Sequence, residues 1–136
     1  MISYNNDVQR IFEIYAGYTD PSIRDLNVSI ADKFAAWAAC LGALTPAQIY
    51  MGTNSTGGVD CNIYDRAINR SEHGAFHQQG YPAVVVSEDF LANLATELGS
   101  DPNPNYHRAA NTVMDSSYSA DITCAVALAI KELAGG

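Results

Sequence analysis

Charge is scarce in this sequence. Only 16% of the residues are Asp, Glu, Lys or Arg, and seven of these are basic against fifteen acidic, giving a net charge of -8. A chain this poor in cations has nothing with which to neutralise a phosphate backbone, which excludes nucleic acid as a partner and argues against an anionic membrane surface. Cysteine is also sparse. Cys40, Cys61 and Cys124 are far apart and no CxxC or CxH pair occurs, so a cysteine-based zinc site has no support. Cys40 and Cys124 fall within apolar helical patterns and are expected as small buried residues. Long hydrophobic runs are missing too. The longest, residues 34–44, is broken by Gly42 and is too short to span a bilayer. The residues after Met1 have neither the basic start nor the apolar stretch of a signal peptide. Gly57-Gly58 lacks the Lys-Ser/Thr of a phosphate loop, and no GxSxG or HExxH occurs.

What is present is apolar: 48% of the 136 residues are hydrophobic. That excludes whole-chain disorder, and a single domain of this length buries roughly two-thirds of its unfolded surface. The aromatic and β-branched stretch from Arg10 to Tyr18 predicts a strand, with a short one before it at residues 1–4. Asp20 and Pro21 open a helix whose apolar face carries Ile23, Leu26, Ile30, Phe34, Trp37 and Leu41 and which stops at Gly42. Residues 45–51 predict a short strand and 52–58 a loop. Ser71 is expected to cap a helix ending at Gly80. The run Ala83–Val86 predicts a buried strand of a parallel or mixed sheet. Ser87 is expected to cap a short helix that closes at Gly99, followed by an ordered loop at 101–105. Ser116 or Ser117 opens a last helix with Tyr118, Ile122, Val126, Ala129, Ile130 and Leu133 facing inward. Strands alternating with helices predict a layered α/β fold.

The three histidines are the candidates for chemistry. His73 and His77 stand four apart, so on a helix they share a face and could hold one metal. The competing reading is one partly buried, hydrogen-bonded histidine and one at the surface. His107 follows the rigid 101–105 loop, where a fixed backbone suits a zinc ligand. Taken without any family, the pattern allows a single-metal site of His73, His77 and His107. Asn27-Val28-Ser29, Asn54-Ser55-Thr56 and Asn69-Arg70-Ser71 match the glycosylation sequon.

Several segments, in order, resemble a known family. Arg70-Ser71-Glu72-His73-Gly74-Ala75-Phe76, Gly80-Tyr81-Pro82-Ala83, Asn103-Pro104-Asn105-Tyr106-His107 and Asn111-Thr112 resemble the C-terminal third of the bacterial leucyl-type dizinc aminopeptidases. That family shows Ser-Asp-His, Gly-Tyr/Ile-Pro-Ala, Asn-Pro-x-x-His and then Asp-Thr before a long closing helix. Met1-Ile2-Ser3-Tyr4 is similar to its Asp-Met-x-x-Tyr strand, and Thr19-Asp20-Pro21 to the start of the helix that follows.

The resemblance implies a three-layer zinc-exopeptidase (phosphorylase/hydrolase-like) α/β fold. This chain would supply the C-terminal part of a mixed sheet with helices on both sides. It implies cleavage of N-terminal residues from peptides at two zinc ions, with a Glu taking a proton from water. His107 falls on the last metal ligand. The other ligands and the general base belong to the part of the family pattern ahead of Met1 and are not among these residues, so the chain alone is expected to be inactive. Met1, Phe90 and Tyr106 would line the pocket for the substrate's N-terminal side chain. Glu72, His73 and Asn111 would stand around the ligands, Glu72 and Asn111 each replacing a family Asp. The alternative is a non-catalytic binding domain on the same half-fold. Without the family's first strands a sheet edge would lack cover, so a homo-oligomer is expected to cover it. Family members are often secreted or periplasmic.

Overall fold

The computed structural model describes residues 10, 12–18, 21–42, 48–51, 61–64, 71–87 and 115–135. Its elements are β1 (Glu13–Tyr15), α1 (Arg24–Leu41), β2 (Gln48–Met51), β3 (Cys61–Tyr64), α2 (His73–Gln78), β4 (Val85–Ser87) and α3 (Ser116–Leu133). The strands form one mixed sheet in the order β3-β2-β1-β4. β1 runs parallel to β2, and β2 to β3, while β4 lies antiparallel against β1. β1, α1 and β2 therefore make a βαβ crossover between neighbouring strands. No described helix is long and apolar enough to cross a membrane.

Local chemistry accounts for the helix ends. Pro21 begins a single 3-10 turn, Pro21–Ile23, that leads into α1. Alanines at 31, 35, 36, 38 and 39 favour the helix intrinsically. It ends at Gly42, whose φ of 64° suits a residue without a Cβ. In α3 the cap is Asp115 rather than a serine: its carboxylate accepts from the Tyr118 amide at 2.9 Å. In α2 Ser71 is exposed and makes no cap, and Glu72 holds the cap position without a side-chain bond. The far end of α2 is tightly closed. Gly80, at φ 77°, donates to the His77 carbonyl and Tyr81 to that of Phe76, the paired bonds of a Schellman turn.

Period-two alternation divides β1 between two faces. Phe12, Ile14, Ala16 and Tyr18 join Ile49 of β2 in a core with Ile23, Ala31, Phe34 and Ala38 of the α1 region and Tyr118, Ile122, Ala125 and Ala129 of α3. Each large apolar side chain buried this way contributes about 1.5–3 kcal/mol. Glu13 and Tyr15 point the other way, and cross-strand pairing sets Ser87 opposite Glu13 on that second face. All three are buried.

The helices bury only part of the faces expected: Ile23, Phe34, Tyr118, Ile122 and Ala129 are buried as the pattern predicts, and the rest of each stripe is shifted. In α1 the buried stripe is Asn27, Ala31, Phe34 and Ala38, while Leu26 is 55% exposed. At 100° per residue this stripe is rotated by roughly 70° from the one drawn through the large apolar residues. In α3 the buried residues are Tyr118, Ile122, Ala125 and Ala129, and Ile130 and Leu133 are exposed. The physical reason is the contact between α1 and α3. The buried residues of both helices include small ones, Ala31 and Ala38 of α1 and Ala125 and Ala129 of α3, in one core with the sheet. Cys40 and Cys124, expected as small buried residues, are both exposed.

The strands differ as well. β1 covers three residues of the expected nine, and Arg10 adopts a left-handed φ of 54° ahead of it. β4 lies antiparallel in a mixed sheet, one of the two arrangements expected for the run at 83–86, and is half-buried rather than fully buried. β3 had no counterpart in the sequence reading. The expected strand at 1–4, the loops at 52–58 and 101–105 and the helix after Ser87 lie outside the described residues.

Candidate functional site

In parallel α/β sheets, ligands gather at the carboxyl ends of the strands. The carboxyl end of β1 is where the buried polar side chains of α1 and α2 meet the backbone. Asn27, in the first turns of α1, is fully buried. Its Nδ2 donates to the Gly17 carbonyl at 3.0 Å, and its Oδ1 accepts from the Ala83 amide at 2.9 Å. The amide orientation is thereby fixed, because a carbonyl only accepts and a backbone N–H only donates. One side chain ties the exit of β1 to the segment that enters β4.

His77 of α2 closes this network. Its Nε2 lies 2.8 Å from the Ala83 carbonyl and 3.1 Å from Asn27 Nδ2. One nitrogen cannot donate to the first and accept from the second. A lone pair on Nε2 would face the carbonyl oxygen inside contact distance, whereas a proton there makes a good hydrogen bond and leaves Asn27 at ordinary contact. The proton therefore sits on Nε2 and is donated to Ala83. His73 packs edge-to-face on His77, with ring centroids 5.3 Å apart and planes at 81°.

Both histidines are buried, His73 3% and His77 1% exposed, so the expectation of one surface histidine is corrected. Four-residue spacing on α2 directs both rings inward onto α1. With its Nε2 given to a backbone carbonyl, His77 organises the chain crossing rather than serving as a base through that atom. Among the described residues no group of three or more His, Cys, Asp or Glu could hold a metal ion.

A second buried polar group occupies the other face of the sheet. Tyr15 donates its hydroxyl to Glu13 Oε2 at 2.5 Å, beside Ser87. Two more polar clusters tie elements together at the surface. Arg10 reaches Asp121 at 2.9 Å, Asp115 at 3.5 Å and the Ser117 hydroxyl, joining the approach to β1 to the first turns of α3. Glu132 of α3 accepts from Lys33 and, at 2.9 Å, from Trp37 of α1. The Lys33 bond, then the Trp37 bond, hold the Glu132 carboxyl below its usual range.

Of the residues singled out from the sequence, Glu72 and His73 are described. They point opposite ways, Glu72 to solvent and His73 into the interior. His107, Met1, Phe90, Tyr106 and Asn111 lie outside the described residues. Sequence reasoning missed Asn27 and Glu13 as buried polar residues. Glu13 carried a signal, being a lone charge inside an apolar strand. Asn27 was noted only as a sequon, and its burial and hydrogen bonds remove it as an acceptor in the folded chain.

Compared with known proteins, the chain matches no family model, no curated protein and no solved structure at a significant level.

Proposed function

We propose that this chain is the C-terminal part of a zinc-dependent aminopeptidase-like domain with the three-layer zinc-exopeptidase fold, acting in its intact form on the free N-terminus of peptides. The observation that carries this reading is the joint order of the segments at 70–76, 80–83, 103–107 and 111–112 ahead of a long closing helix. The mixed sheet, the helix α2, which starts inside the first of these segments and ends before the second, and the length of α3 are consistent with it.

In the intact family the zinc pair polarises the scissile carbonyl and activates water. The residues present do not suffice for such a pair. His107 is the one position of this chain that falls on a family ligand, and a single imidazole fixes no dizinc geometry. The His73–His77 pair is no substitute: it supplies two imidazoles at most, and among the described residues no group of three or more His, Cys, Asp or Glu could hold a metal ion. The chain by itself therefore does not turn over peptides. Its part in the intact domain is one ligand, His107, and a pocket wall from Met1, Phe90 and Tyr106, with Glu72, His73 and Asn111 around the ligand.

Two experiments test this. The coding DNA ahead of the Met1 codon should encode the family's His, Asp and Glu-Glu, with Asp directly before Met1; a frame lacking them refutes the aminopeptidase reading. Pure chain given zinc and an aminoacyl nitroanilide should show no turnover. Turnover abolished by His107→Ala would overturn the claim of inactivity alone. A specific observation favours a second reading, a binding domain without catalysis: Asn111 stands where the family has a charged Asp that orients a ligand. The intact protein binding peptide N-termini without zinc would decide for it. As a further part of the proposal, a second copy of the chain covers an edge of the sheet. A monodisperse monomer by light scattering, with no apolar-dye binding, refutes that.

A further inference from the structure

We draw no further inference here: the strongest candidate, the buried His73–His77 pair beside Asn27 at the carboxyl end of β1, belongs to the site already described.

Discussion

Replacing Asn27 by Leu keeps the branched shape of the side chain and removes both hydrogen bonds that Asn27 makes to the backbone at the crossing. Two groups lose a hydrogen bond: the Gly17 carbonyl and the Ala83 amide. The two backbone groups lose their Asn27 partner in the buried interior, at about 1–3 kcal/mol each. The Ala83 carbonyl keeps its bond from His77, which limits the total. The expected loss is about 2–5 kcal/mol, a large share of the roughly 5–15 kcal/mol that holds a domain of this size together. Urea unfolding followed by far-ultraviolet circular dichroism measures it, with the slope of the transition checked for constancy. Asn27→Asp sharpens the test. Its carboxylate still accepts from Ala83 but sets an oxygen against the Gly17 carbonyl, so it too should be destabilised near neutral pH. A loss below about 0.5 kcal/mol for both variants, the size of an ordinary surface substitution, would refute the claim that Asn27 locks β1, α2 and the entry to β4 together.

Arg10→Gly and Arg10→Ala both lose the ion pairs to α3, but only Gly relieves the left-handed backbone, so the Gly variant should be the more stable by about 1 kcal/mol in chemical denaturation; equal stabilities would refute strain at that position. Glu132 has its carboxyl lowered in the folded state, so the stability it lends is present above its unfolded value and is lost as pH falls through the folded one. Acid-unfolding curves of the wild type and Glu132→Gln should therefore differ near neutral pH and converge in acid, and parallel curves throughout would refute the linkage. Cys40 and Cys124 should both react with a thiol reagent in the native state at rates close to those in the unfolded chain, with protection of either contradicting its exposure.

The helices were legible as helices but not in their orientation. Gly42 marked the end of α1 because a left-handed terminus favours a residue without a side chain, a local rule needing no tertiary knowledge. The face that α1 buries was not legible. Alanines carry little weight in a hydrophobic pattern, yet Ala31, Ala38, Ala125 and Ala129 are buried in the core. The antiparallel placement of β4 depends on a partner far away in sequence, and an apolar run such as Ala83–Val86 carries no record of its direction. At the candidate site the spacing of His73 and His77 was legible. The burial of both rings was not, because it depends on an asparagine some fifty positions earlier.

Asn27 and Glu13 share a logic that bears on the layered architecture. A carboxylate with no solvent exposure is tolerated where its lone pairs find donors, and Glu13 finds one in the Tyr15 hydroxyl. Ile14, between them in sequence, is buried on the opposite face against α1 and α3. A strand whose successive residues are all buried lies under cover on both sides. A two-layer protein with an open sheet face would leave Glu13 in water, where it would need no tyrosine. Burial on both faces of β1 thus means that the sheet is covered on both sides at this strand. It rests on side-chain burial and strand register, and so is independent of the motif matches on which the functional proposal depends.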